Sequence, residues 1–266
     1  MSSNPGKVTA ATVWQRITVF LASLLVTVGY CVDVLWRAAL GRLDRSRVDR
    51  YTRSWSGWLL RLIRMRLSVE GSCPDFNDGR RYIILCNHAS HYDIPASFVA
   101  MPGSIRMLAK SELYRIPLLG AAMRAAEFPS INRHQRERAV ADLQRARKMM
   151  ESGIVLWAAP EGTRSPHGRL LPFKKGCFHL ALDTGAIVVP VAIRGIHRVL
   201  PARTRQFNFG QSVSLHIGEP IDSARYDLAG LMTETRRRMV DLLGEQPEEA
   251  SAAETSNDSL TRPQVS

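Results

Sequence analysis

The stretch Tyr82-Ile83-Ile84-Leu85-Cys86-Asn87-His88-Ala89-Ser90-His91-Tyr92-Asp93-Ile94-Pro95-Ala96-Ser97-Phe98-Val99 decides the fold. Its first five residues form a short apolar run with strand character. The residues from Ile94 can begin a helix with Asp93 near its N-terminus. On a regular helix His88 and Asp93, five apart, would sit about 140° apart and could not meet. A strand that ends near His88, turns and enters a helix near Asp93 can bring them together. An imidazole beside a carboxylate is the arrangement of a general base with its orienting acid. The structural alternative is an N-capping Asp93 and a buried polar His88. None of the other six histidines has an acid at that offset.

Outward from this stretch, strand-like and helix-like segments alternate. Ile105–Ala109 reads as a strand and Arg136–Glu151 as a polar-faced helix. Ile154–Ala159 and Ile187–Ile193 read as buried strands with a helix, Phe178–Asp183, between them. Val213–Ile217 alternates as a strand, and Leu228–Leu243 closes with a helix. The pattern predicts an α/β fold, a central mixed sheet flanked by helices, preceded by an N-terminal membrane-associated helical region. The expected division is 1–68 for the anchoring helices, 69–244 for the α/β domain and 245–266 for a disordered acidic tail. There is no internal repeat, P-loop, dinucleotide fingerprint or G-x-S-x-G elbow, which argues against nucleotide-driven chemistry and the usual serine hydrolase.

The 266 residues carry a net charge of +12 and are 45% hydrophobic, enough for one substantial core. Residues 245–266 hold a net −4, which leaves +16 on residues 1–244. Such a balance suits a polyanion, either nucleic acid or an anionic membrane surface. The distribution favours the membrane. Arg37, Arg42, Arg45, Arg47, Arg50, Arg53, Arg61, Arg64 and Arg66 follow directly on the most apolar stretch, Ile17–Val32. As a helix that stretch covers roughly 24 Å, short of the roughly 30 Å hydrocarbon core, so it is a marginal span or a helix in one leaflet. No small-residue cleavage site follows it. Tyr51–Leu67 reads as a second, interfacial helix, with Trp55, Trp58, Leu59, Leu62 and Ile63 on one face and arginines elsewhere. An ordinary core-facing amphipathic helix fits the same pattern.

A second motif, Pro160-Glu161-Gly162-Thr163-Arg164-Ser165, follows the apolar run Ile154–Ala159. A strand ending in a glycine-bearing turn exposes backbone N–H groups and lets an arginine reach an anion with its planar fork. A surface Glu–Arg pair is the plain alternative. Cys86, His88, His91 and Asp93 are all possible metal ligands, but Cys31, Cys73 and Cys177 stand singly and supply no second ligand pair. Cys86 reads as a buried strand residue, since nothing adjacent marks it as a low-pKa thiol.

The two motifs, in this order and about seventy residues apart, resemble the glycerolipid acyltransferase family, closest to its bacterial 1-acylglycerol-3-phosphate members. Lys110-Ser111-Glu112-Leu113, Phe128-Pro129-Ser130-Ile131-Asn132-Arg133, Phe173-Lys174-Lys175-Gly176 and Ile187–Ile193 fall where that family carries its other blocks. The resemblance covers roughly residues 70–220. Asn132 departs from it, standing where the family commonly has an aspartate.

The resemblance implies transfer of a fatty acyl group from a thioester, acyl-CoA or acyl-ACP, to the free hydroxyl of 1-acyl-sn-glycerol 3-phosphate, with phosphatidate as product. It assigns His88 and Asp93 to catalysis. Arg133 and Arg164, with Lys110 assisting and Glu161 and Gly162 shaping the turn, are assigned to the acceptor's phosphate. No cofactor or metal is expected, and no nucleic acid. Expected partners are the lysophospholipid, the acyl thioester, an anionic membrane surface and, with an ACP donor, acyl carrier protein. The bacterial inner membrane, with the domain facing the cytoplasm, is the expected location. Two alternatives stay open: the same chemistry on another lysolipid such as a lyso-ornithine lipid, and a basic membrane- or nucleic-acid-binding protein without catalysis.

Overall fold

The computed structural model describes residues 11–131, 136–204 and 206–244. The expected tail, 245–266, lies outside them. The chain opens with two antiparallel-paired helices, α1 (Val13–Ala39) and α2 (Arg45–Leu62). Strand β1 (Arg66–Glu70) follows, then β2 (Tyr82–Cys86) and α3 (Asp93–Ala100). Next come β3 (Ile105–Met107), β4 (Ala109–Lys110), α4 (Pro117–Ala125), β5 (Ser130–Ile131) and α5 (Arg136–Glu151). The chain continues through β6 (Val155–Ala158), α6 (Gly176–Thr184), β7 (Ile187–Arg194), β8 (Ser212–Ile217), β9 (Ile221–Asp222) and α7 (Leu228–Leu243).

The main sheet has the order β1-β8-β7-β2-β6-β3, with β9 also on β7. It is mixed, as expected. β2 lies parallel to both β6 and β7, and β7 turns antiparallel to β8 and β9. All five residues of β2 are buried, which is why its sequence reads as a continuous apolar run rather than an alternation. Pro190 sits inside β7 where a strand proline would normally cost a ladder bond. It falls between the residues paired to β9 (Ile187, Val188) and those paired to β8 (Val191–Arg194), so no N–H is missed on that edge. Helix α7 begins at an Asp227 cap that accepts the Gly230 N–H and closes with Gly244 in the left-handed region.

At the N-terminus the sequence reading needs correction. Helix α2 starts earlier than the expected Tyr51 and ends at Leu62, and β1 begins at Arg66. Tyr51–Leu67 is therefore not one helix, and the 68/69 boundary falls inside a strand of the main sheet. The main-chain bond from the Arg66 N–H to Gln211 leads straight into the β1–β8 ladder. Helix α1 is longer than the apolar run suggested, because Asp33 is accommodated. Arg37 binds it at 3.1 Å and the Tyr51 hydroxyl of α2 donates to it. Its 27 residues span about 40 Å, enough to cross a hydrocarbon core. One face packs on α2 and α4 through Cys31 and Val34, while Trp14, Phe20, Leu21, Leu25 and Val32 are exposed.

Two ion pairs tie α2 to the domain. Arg106, fully buried in β3, donates to Asp49 at 2.7 Å and to the Ala126 carbonyl at 2.8 Å. Arg45 grips Glu127 with two N–H groups, at 2.9 and 2.7 Å. Neither pair was legible in the sequence, because each joins segments more than fifty residues apart.

Candidate active site

The register of the parallel strands places the site. Leu85 of β2 pairs with Ala158 of β6, so His88 and Glu161 each stand three residues beyond the same rung, at the carboxyl ends of neighbouring strands. That edge is where open α/β sheets usually present ligand-binding groups. Asn87 locks the exit from β2 by accepting the Ile193 N–H at 2.7 Å and donating to the Ile193 carbonyl at 3.3 Å.

The strand–turn–helix reading of the first motif is what the structure shows. His88 Nδ1 lies 2.6 Å from Asp93 Oδ2. The same oxygen accepts the main-chain N–H groups of Ala89 at 2.8 Å and Ser90 at 3.0 Å. Asp93 is wholly buried in the first turn of α3, where its charge also meets the helix N-terminus. An aspartate so held fixes Nδ1 as the protonated nitrogen and leaves Nε2 with a free lone pair. The His88 side chain keeps 19% of its surface, so a reactant can reach it. Trp157 closes one side of the ring edge-on, at 6.3 Å between centroids, and its own N–H is fixed by Ser97 at 3.0 Å. Trp157 stands in a run of apolar residues that reads as a buried strand, so nothing in the sequence singles it out.

The second motif supports the first through the backbone. Glu161, buried, accepts the His88 N–H at 2.7 Å and the Leu171 N–H at 2.9 Å. The Ser165 N–H donates back to the His88 carbonyl at 2.6 Å. Gly162 turns at φ 72°, a conformation that favours glycine, and this carries the chain out toward Arg164. Glu161 thus ties its loop to the His88 and Leu171 backbone. Its buried carboxylate faces inward and brings no positive charge to an anion.

Arg164 and Lys110 belong to the same neighbourhood. His91, three residues after His88, is exposed. Desolvation lowers its pKa, and the charges of Arg164, His88 and Lys110 lower it further against the opposing charge of Asp93. The charges of Arg164 and Lys110 therefore both act on His91. Lys110 ends β4, paired with Ile131 of β5. Asn132 and Arg133 lie outside the described residues. Burial and the charges of Asp93 and Glu161 push the Cys86 thiol well up, which keeps it protonated and inert. Among the described residues no three His, Cys, Asp or Glu side chains gather as a metal site.

The chain is similar to known acyltransferases. Residues 66–194 match the acyltransferase family model. A 1-acyl-sn-glycerol-3-phosphate acyltransferase from Cocos nucifera is 38% identical over 132 residues, which cover 49% of this chain and 42% of that protein. The human 1-acyl-sn-glycerol-3-phosphate acyltransferase alpha is 30% identical over 148 residues, 55% of this chain and 52% of the relative. The matches thus span about half the length of these curated relatives. The crystal structure of the 1-acyl-sn-glycerophosphate acyltransferase PlsC from Thermotoga maritima superposes with a TM-score of 0.72 at 26% identity, covering 95% of this chain and 97% of that one.

Proposed function

We propose, from the match of residues 66–194 to the acyltransferase family model, that the chain moves a fatty acyl group from an acyl thioester to the free hydroxyl of 1-acyl-sn-glycerol 3-phosphate, making phosphatidate. The observation that carries this reading is the His88–Asp93 contact of 2.6 Å. Nε2 of His88 takes the proton of the acceptor hydroxyl as its oxygen attacks the thioester carbonyl. The carboxylate of Asp93 stabilises the imidazolium that forms. As the tetrahedral intermediate collapses, the C–S bond breaks and the same proton passes to the departing thiolate. The acceptor supplies the nucleophile, so no acyl-enzyme forms, and the mechanism asks for no cofactor beyond the acyl-CoA or acyl-ACP donor.

Arg164, Lys110 and, by its place in the motif, Arg133 hold the acceptor's phosphate. A guanidinium fork matches two phosphate oxygens at once. An apolar cavity of about 130 Å³ lies between α1, α2 and α4, and Ile94 and Phe98 on α3 form part of its wall. The wall residues Ile94 and Phe98 follow Asp93 on α3, and such an apolar cavity suits part of an acyl chain. The exposed apolar face of α1, followed by arginines, seats the protein in the bacterial inner membrane with the domain on the cytoplasmic side. Transfer assays with purified protein against lysophosphatidate, a lyso-ornithine lipid and a phosphate-free lysolipid test the acceptor. Preference for either of the last two would replace lysophosphatidate.

A further inference from the structure

None of this chemistry uses the cleft of about 590 Å³ that opens between α2 and the loop at 101–104. Its α2 wall presents Arg50, Arg53 and Arg61, with Gly57 between them. These positions fall on one stripe of the helix, at i, i+3, i+7 and i+11. Among the described residues none of the three arginines forms an ion pair. Arg50 reaches Ser46 at 3.3 Å, Arg53 the Met101 carbonyl at 3.3 Å, and Arg61 lies over the Trp58 ring at 5.5 Å. Most of their donors remain available. The acid in the wall, Asp49, is already taken by Arg106 at 2.7 Å and Ser104 at 2.6 Å, so it does not neutralise the stripe.

Gly57 adds an independent sign. A glycine inside a helix costs about 1 kcal/mol against alanine, and packing is the usual reason to keep one. Here a Cβ would meet nothing within 4 Å. No neighbour in the fold demands glycine at this point. What its absence of side chain does is keep the floor of the cleft bare, so that a bound group can approach the helix backbone between the guanidinium groups.

We propose that this cleft holds the phosphate of an anionic membrane lipid, a site separate from the reacting one. Phosphate chemistry follows from the arginines, and a lipid source follows from what borders the cleft. Ser54, in its wall, bonds the Tyr30 hydroxyl of α1 at 2.6 Å, so the cleft runs alongside the helix whose apolar face is exposed. Trp58, beside Arg61, is itself 48% exposed, the placement of an interfacial tryptophan. The reacting site lies elsewhere. Asp93 opens α3 and the cleft meets the other end of it at Val99, about 9 Å of helix away. A lipid held here orients the domain on the bilayer and takes no part in transfer. The proposal rests on reading α1 as seated in the membrane.

The test is partition of the full-length protein onto phosphatidylcholine vesicles with and without about a quarter phosphatidylglycerol, each arginine near an anionic leaflet being worth roughly fivefold. Wild type should favour the anionic vesicles. Arg53→Gln with Arg61→Gln should cut that preference on the order of tenfold or more. Gly57→Leu should also cut it although no charge changes, and leucine, a better helix former, leaves α2 folded. Equal loss in both variants supports a built site. If Gly57→Leu partitions as wild type, or if neither variant differs from it, the cleft is not the site. Loss of the preference in millimolar inorganic phosphate would assign the cleft to free phosphate and overturn the lipid. Acyl transfer to lysophosphatidate in detergent, measured on the same preparations, should be unchanged in all of them. A wild type without transfer there would sink the proposed function and leave the vesicle result standing on its own.

Discussion

Glu161 Oε1 accepts the main-chain N–H of His88 at 2.7 Å, joining two loops 73 residues apart. Through this bond the loop that carries Arg164 also fixes the backbone of the base. The two loops are therefore held in one geometry, and on the proposed mechanism a change in either is felt in the other. Glu161→Gln can keep one acceptor oxygen but must turn its amide N–H₂ toward the second donor, either His88 or Leu171. The expected result is a fall in kcat on the order of 10²-fold from misplacement of the base, with a small loss of stability. Steady-state kinetics and a thermal melt check it. Full turnover in this variant would show that the bond does not position His88.

Asp93 offers a cleaner separation of charge from structure. Asp93→Asn can leave an oxygen where Oδ2 accepts from His88, Ala89 and Ser90, so the fold should survive while the rate falls about 10²–10⁴-fold. Asp93→Ala would orphan two buried N–H groups, each costing about 1–3 kcal/mol. Circular dichroism melts should separate the two variants: the asparagine form near wild type, the alanine form clearly lower.

Arg164→Lys keeps a charge but loses the planar fork. The apparent KM for lysophosphatidate should rise about tenfold, and the KM for the acyl thioester should change little. With a phosphate-free acceptor the variant and wild type should match. An equal KM increase for both substrates would place Arg164 outside the acceptor site.

Removal of residues 1–39 takes away α1 alone and should release the protein from membranes, while uncovering the α2 face around Val48 and Tyr51. Removal of residues 1–68 is a harsher change. It also deletes part of β1 and takes Asp49 from the buried Arg106, so that product should aggregate. Membrane flotation and gel filtration distinguish the two. A 1–39 deletion that still floats with membranes would end the anchoring account.

Acid should loosen the α2 attachment. Arg45 holds the Glu127 carboxyl below its ordinary value of 4.5, through hydrogen bonds that outweigh desolvation and through its charge. A carboxylate with a depressed folded pKa stabilises fully above its unfolded value, and that contribution disappears as pH falls through the folded one. Stability should therefore decline below about pH 4.5. Glu127→Gln should cost ~1 kcal/mol or less at neutral pH, since the pair is partly exposed, and should flatten the decline. Melts across pH in both proteins check this.

The sequence carried the central layer well because burial there is nearly complete. Tyr82–Cys86, wholly buried, has the bounds its apolar run suggested, and the flanking helices Arg136–Glu151 and Leu228–Leu243 have those that their patterns suggested. β1 and the β4–β5 pair escaped notice for the opposite reason. β1 is an edge strand with mostly exposed residues, and two-residue strands leave no periodic trace. In the site, His88 and Asp93 were legible because both lie in one short run. Asn87, Trp157 and the inward turn of Glu161 act through contacts with distant segments, which spacing along a chain cannot reveal.

The most direct measurement is acyl transfer to lysophosphatidate by purified protein, wild type against His88→Ala, with acyl-CoA and acyl-ACP as donors. The account expects wild type to make phosphatidate with at least one donor. It expects the variant to lose about 10²–10⁴-fold in rate with its melting temperature and membrane partition unchanged. A wild type that forms no phosphatidate with either donor, or a variant that turns over near the wild-type rate, would contradict it.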